Sequence, residues 1–369
     1  MPRRDLVQKT SIVLLTLLFA CGIAAGAREH FPSSCVWHPT GAKQSHHAPS
    51  PALARPWVSQ ENTFTVKAKA GDDGEMEKEQ SFNKNTKVVD VIKDSDFQGF
   101  GHLIFPVDRH ISGDLTLADM GDVLVWYSYV NPMRTVEIVN YLKAEAETGR
   151  KIFFDIYTEE EKKADPWKRN TGLFFFRGQS GAKFAVLSAG GGFSYVGAMH
   201  DSFPHALELS KRGYHAFALI YRPDAEKACE DLARAIAFIH EHSRELEVDV
   251  RGYSLWGGSA GARMAAWLGS FGTERFGEKD YPRGAAVIME YTGLSEVYGN
   301  EPPTYNCVGT SDIIASWRTM ERRIQRIREN GTDAEIDVFP GLPHGFGLGE
   351  GTVAEGWIDH AVAFWERQM

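Results

Sequence analysis

Apolar and polar positions change rhythm several times along the chain. Residues 12–25 form a mostly apolar run, and residues 28 to about 80 show little periodicity. Between 88 and 150, apolar residues recur at helical spacing, most clearly at Val136, Val139 and Leu142, which predicts an amphipathic helix ending at Gly149. From Lys151 onward, short apolar runs alternate with helical stripes. The runs predict strands over 152–157, 173–177, 184–188, 216–221, 252–256, 285–291, 304–308 and 336–339. Leu232, Ile236 and Ile239 mark one intervening helix. Trp357, Ile358, Ala361, Val362 and Trp365 mark another near the end.

Strands separated by amphipathic helices predict an α/β fold: a mainly parallel sheet of about eight strands with helices on both faces, preceded by an N-terminal extension. The first two strands lack an obvious crossover helix between them, which leaves room for antiparallel pairing at an edge. No internal repeat is visible.

The apolar run near the start has a processing signature. Arg3, Arg4 and Lys9 precede it and Ala25-Gly26-Ala27 follows, as in a cleaved secretory signal peptide over residues 1–27. Leu18-Phe19-Ala20-Cys21 resembles a lipobox, a competing reading that would place a lipid anchor at Cys21. Phe19 fits that pattern poorly, so cleavage after Ala27 is favoured. A retained anchor ranks third, because the run is short for a span. No other segment could cross a bilayer. The expected location is secreted or extracytoplasmic, with lipid attachment to the cell envelope as the variant. Residues 28–87 read as a flexible linker, 88–150 as an N-terminal extension and 151–369 as the α/β domain. His46-His47 falls in the linker and reads as part of a solvated tail.

Composition narrows the partners. The 369 residues are 43% hydrophobic and 24% charged, ordinary for a globular chain with a full core. A net charge of −9 gives no electrostatic support for nucleic-acid binding. Arg318, Arg322, Arg323, Arg326 and Arg328 cluster, but Met320, Ile324 and Ile327 interleave at helical spacing, so the cluster reads as a solvated face. Beyond the signal, Cys35, Cys229 and Cys307 show no C-x-x-C spacing. Cys229 is expected in a helix and Cys307 in a strand, both as buried thiols, and no disulfide pairing is set.

One stretch carries chemistry. YSLWGGSAGAR ends an apolar run with Gly257-Gly258-Ser259-Ala260-Gly261, then starts a helix. This is G-x-S-x-G between strand and helix, a setting that holds the serine on a strained turn with its hydroxyl exposed. A serine needs a base, and the base needs an orienting carboxylate. Asp312 follows the strand TYNCV and His344 follows EIDVF, both just past the C-terminal ends of strands, where open α/β sheets place their sites. Asp337, within a strand, and Asp333, at the wrong end of one, are rival acids. His360, on the last helix, is the rival base. The Ala260 N–H would serve a developing oxyanion. A second donor is expected from the loop after the strand FAVLS, Ala189-Gly190-Gly191-Gly192-Phe193. Phe193, Tyr195, Trp317 and Phe346 are expected along an acyl or sugar pocket, with Trp256 at least as well placed in the core. There is no H-E-x-x-H, no Cys/His cluster and no dinucleotide fingerprint, so no metal or organic cofactor is expected.

Taken together, SAGGGF, WGGSAGAR, VGTSD and PHGFG make residues 151–369 resemble the esterase and prolyl-oligopeptidase-like branch of the α/β-hydrolases, which includes dienelactone hydrolases and secreted carbohydrate esterases. The resemblance implies Ser259 as nucleophile, Asp312 as acid and His344 as base, with Gly191, Gly192 and Ala260 around the oxyanion. One departure is Ala189, where many relatives carry histidine, which leaves open what supports the loop. The resemblance does not extend clearly over 28–150. It implies a secreted carboxylesterase acting on short-chain acyl esters, such as acetyl or aromatic acyl groups on polysaccharides. The partner would be a small-molecule or carbohydrate ester. The short connection from 291 to 304 predicts no large lipase-type cap there, although residues 88–150 could cover the mouth. The alternatives are a peptidase of the prolyl-oligopeptidase type, here without a preceding propeller, and a non-catalytic hydrolase-like surface binding protein. The presence of all three triad residue types ranks the enzyme above the binding protein.

Overall fold

The computed structural model describes residues 81–369. The export signal, the lipobox alternative, Cys35, His46-His47 and most of the expected linker lie outside the described residues.

Eight strands form one sheet: β1 (Phe153–Phe154), β2 (Gly172–Phe176), β3 (Lys183–Ser188), β4 (His215–Ile220), β5 (Asp249–Gly258), β6 (Ala286–Glu290), β7 (Thr304–Gly309) and β8 (Ala334–Phe339). Their spatial order is β1-β2-β4-β3-β5-β6-β7-β8. β3 to β8 pair in parallel, while β1 pairs with β2 and β2 with β4 antiparallel. Continuous apolar runs such as GLFFF and HAFALI are buried throughout, as strands covered on both faces require. β1 is shorter than its apolar run predicts. Asp155 turns the chain by accepting the Tyr157 N–H at 3.3 Å, a local bond that competes with further strand pairing.

The helices of nine residues or more are α1 (Pro132–Glu147), α2 (Phe203–Lys211), α3 (Ala225–Glu241), α4 (Ala260–Phe271), α5 (Trp317–Glu329) and α6 (Trp357–Glu366). The path runs outward from β3 through α2 to β4, then back through α3 to β5. Right-handed crossovers therefore put α2 on one face of the sheet and α3 and α4 on the other. The His205 and Trp357 rings, 5.6 Å apart, join α2 to α6 on the first face. This reversal makes the C-terminal ends of β3 and β5 the switch point, where a crevice opens.

The segment expected as an N-terminal extension shares the main core. Val88, Phe97, Leu103, Met120, Ile138 and Leu142 belong to one buried cluster with the sheet and its helices. Packing begins earlier than the expected linker boundary at 87, because Phe82 exchanges two backbone hydrogen bonds with the Asn140 side chain on α1. Asn131 caps α1 and Pro132 opens it, which fixes where the helix starts. Cys229 on α3 and Cys307 on β7 are buried free thiols. No helix among the described residues is long and apolar enough to cross a membrane.

Candidate active site

Ser259 stands at the turn between β5 and α4 with φ +50° and ψ −110°, a conformation that costs a non-glycine residue about 1–3 kcal/mol. Its N–H donates to the Glu290 carbonyl at 2.9 Å, which holds the turn against the end of β6. The turn needs glycine where α4 meets β3: a Cβ at Gly261 would stand 1.8 Å from the Ser188 carbonyl oxygen. Ser259 itself remains partly exposed.

The loops after β7 and β8 bring two of the expected partners to it. His344 Nε2 lies 3.1 Å from Ser259 Oγ, and His344 Nδ1 lies 2.7 Å from Asp312 Oδ2. A carboxylate can only accept, so Nδ1 carries the proton and Nε2 is free to accept from the serine hydroxyl. The Asp312 side chain is fully buried, and its other oxygen accepts the N–H groups of Ile314 and Ala315 at 2.8 and 2.7 Å. The Tyr291 ring meets the His344 ring edge-on at 5.0 Å. The rivals lie elsewhere. Asp337 bonds His360 at 2.8 Å and the Tyr305 hydroxyl at 2.7 Å, an Asp–His pair with no hydrogen bond to a serine.

The glycine loop after β3 packs directly on Ser259: a Cβ at Gly190 would be 2.9 Å from the Ser259 Cβ. Gly191 has φ +129°, and a Cβ there would meet the Tyr195 carbonyl oxygen at 2.0 Å. The N–H groups of Gly191, Gly192 and Ala260 have no acceptor among the described residues.

A buried carboxylate stands behind the glycine loop. Asp201 accepts the Gly190 N–H at 2.5 Å and the Tyr127 hydroxyl at 3.1 Å, and also the Tyr291 hydroxyl. Tyr221 donates to the Ala189 carbonyl at 2.6 Å. Burial pushes the Asp201 carboxyl up, and the neighbouring Glu290 charge adds to this. Glu290 itself faces His205 at 3.3 Å, both buried. Asp201, Tyr127, Tyr221 and Tyr291 escaped the sequence reading, and no local pattern marks them.

Of the aromatic residues expected along a pocket, Phe193 and Trp317 are partly exposed. Tyr195 and Phe346 are a correction: they are 0% and 1% exposed and pack as core. Tyr195 lies under Trp126, with ring centroids 5.4 Å apart, and Phe346 lies against Tyr291 and Phe339. Trp256 is buried as well. Trp126 takes a place at the mouth instead, since a Cβ at Gly192 would touch its ring at 2.9 Å. The next turn of that segment is tied to the histidine loop by the Ser128 N–H, which donates to the Gly345 carbonyl at 2.9 Å. Among the described residues, no group of three or more His, Cys, Asp or Glu side chains could hold a metal ion.

Comparison with solved structures shows the fold. The acetyl ester–xyloside bifunctional hydrolase of Caldicellulosiruptor lactoaceticus matches with a TM-score of 0.51 at 20% identity, over 59% of this chain and 96% of that one. The chain has the α/β-hydrolase fold. Within that fold, residues 178–299 match the BD-FAE family model, a span that holds both the glycine loop and Ser259. The Thermogutta terrifontis esterase Est2 aligns at 21% identity over 53% of this chain and 89% of its own, with a TM-score of 0.47. MGS-M1, an α/β hydrolase enzyme from a Medee basin deep-sea metagenome library, aligns at 17% over 54% and 92%, with a TM-score of 0.46. No curated protein matches the chain.

Proposed function

We propose that this chain is a serine hydrolase of the carboxylesterase type, cleaving short-chain acyl esters through an acyl-enzyme. The observation that carries this reading is the hydrogen-bonded line Ser259–His344–Asp312, with spacings of 3.1 and 2.7 Å. His344 takes the Ser259 proton as Oγ attacks the ester carbonyl, then delivers it to the departing alkoxide. Asp312 holds the imidazole tautomer and stabilises the imidazolium. The N–H groups of Ala260 and of Gly191 or Gly192 receive the oxyanion, where one donor is worth about 3–4 kcal/mol. Water then repeats the sequence on the acyl-serine.

Trp126 stands against Gly192, and the connection after β6 carries no helix or strand to serve as a lid, which favours a small acyl group. The acetyl ester in the name of the Caldicellulosiruptor neighbour agrees with that size. The export signature at residues 1–27 favours an extracytoplasmic substrate such as an acylated polysaccharide. A non-catalytic binding protein would have no use for a strained serine held at bonding distance from a histidine. Hydrolysis of an ester panel that varies acyl group and alcohol, acetylated xylan included, tests the reading. Turnover of acetyl esters is expected. Inertness toward every ester would overturn it.

A further inference from the structure

Arg263 lies one helical turn past Ser259 on α4, and Ser259, Arg263 and Trp267 share one face of that helix. Trp267 continues the face outward and stacks on Phe193 of the glycine loop, with centroids 6.3 Å apart. On the other side, a Cβ at Gly293 would stand 3.7 Å from Arg263 Nη2 and 3.8 Å from the Ile314 carbonyl. Gly293 is two residues past Tyr291, whose ring abuts His344, and Ile314 is bonded to Asp312. The guanidinium therefore sits among the loops after β6 and β7, at the sheet edge that carries Ser259, His344 and Asp312.

It is half-buried, yet has neither hydrogen bond nor ion pair among the described residues. Its nearest carboxylate influence, Glu296, lies beyond ion-pair distance and accepts the Ser295 N–H. Burial pushes the Arg263 pKa down, and Glu296 offsets only part of this. In Arg134, Arg212, Arg222 and Arg234 burial pulls the same way, but carboxylate partners outweigh it. A partly desolvated guanidinium without a counter-ion is costly, and its planar fork matches a carboxylate.

We propose that Arg263 is a specificity-determining residue that binds a carboxylate carried by the ester substrate. This rests on the esterase reading above and names its substrate class: an anionic ester. The carboxylate could belong to the acyl group, as in a half-ester of a dicarboxylic acid, or to the alcohol, as in a uronic-acid sugar. Matched pairs separate the two sources. One pair is 4-nitrophenyl hemiglutarate against 4-nitrophenyl valerate. The other is acetylated methyl glucuronoside against acetylated methyl glucoside.

In one pair the parent enzyme prefers the anionic member, and Arg263→Gln lowers that preference about tenfold or more, through KM rather than kcat. Arg263→Lys, which keeps charge without the fork, retains part of the preference and serves should the glutamine variant not fold. Arg322→Gln, exposed on α5, leaves the ratio where it was. Preferences unmoved by Arg263→Gln and Arg263→Lys in both pairs overturn the proposal. Calorimetry of glutarate and methyl glucuronoside with the full chain needs no turnover. One of them should bind the parent and bind Arg263→Gln about tenfold more weakly, and equal or absent binding again overturns it. Carboxylate binding that depends on Arg263, in a protein inert to every ester, would refute the esterase reading and leave this site standing.

Discussion

The Asp201 carboxylate accepts the Gly190 N–H at 2.5 Å, tying the glycine loop to a short helix that precedes α2. The same side chain gathers Tyr127 from the N-terminal segment and Tyr291 from the end of β6, so three distant stretches converge behind the loop. Asp201→Asn keeps the shape but exchanges one acceptor oxygen for a donor group facing these donors. A displacement of about 1 Å in a donor loop costs roughly a hundredfold in rate. We expect kcat on acetyl esters to fall about 10–100-fold with KM little changed. Steady-state kinetics check this, and an unaltered kcat would show that the loop stands without Asp201.

The same carboxyl predicts a pH effect on stability. Burial, and then Glu290, raise its pKa, while His205 and the hydrogen bonds from Tyr291 and Gly190 pull against them, leaving it at about 7. An acid with a folded pKa above its unfolded value of about 3.9 favours the fold while protonated in both states. That advantage is lost as pH rises from the lower value to the higher. Asp201→Asn has no proton to lose there. The Tm of the variant relative to the parent should therefore rise between about pH 4 and pH 7. Thermal melts across that range decide it, and a relative Tm that falls would mean the carboxylate is stabilised in place.

Two Asp–His pairs coexist in this chain, and they differ in what they face. Asp312 with His344 reaches Ser259, while Asp337 with His360 sits on β8 and α6 and reaches no serine. Asp312→Asn should cut kcat by about 10⁴, because the imidazole loses its tautomer control. Asp337→Asn should change kcat less than about threefold, surface pairs of this kind being worth about 0–1 kcal/mol. Kinetics of the two variants side by side test the assignment, and a reversed order would make Asp337 the acid.

The parts of this site that strands position were legible in the sequence, because an apolar run announces its own end. Ser259, Asp312 and His344 each follow such a run within a few residues, and the glycines beside Ser259 and after β3 mark backbone crowding. Asp201 carries no such signal. Its meaning comes from Tyr127 and Tyr291, far away in the chain. Likewise Trp126 reaches Gly192 through an irregular segment without periodicity. Tyr195 and Phe346 show the converse error, since closeness to a motif in sequence says nothing about which side of the loop a ring occupies.

Acyl length should be limited. Each added methylene gains about 0.8 kcal/mol when buried and nothing when it finds no room. With Trp126 against Gly192 and Phe193 stacked on Trp267, kcat/KM should fall steeply from acetyl or butyryl to octanoyl esters, without activation at a lipid interface. A 4-nitrophenyl ester series measures it. A preference for decanoyl or longer esters would mean that residues 123–131 swing aside to make an apolar trough.

The most direct test asks whether Ser259 is a nucleophile at all. A fluorophosphonate reacts fast with a serine whose proton a base removes, and His344 Nε2 stands 3.1 Å from Ser259 Oγ to do so. Intact-mass spectrometry of the treated protein should show one phosphonyl adduct, mapped by peptide sequencing to Ser259. Ser259→Ala should show none while keeping the parent's circular dichroism. Equal labelling of the folded Ser259→Ala variant, or no labelling of the parent, would contradict the account.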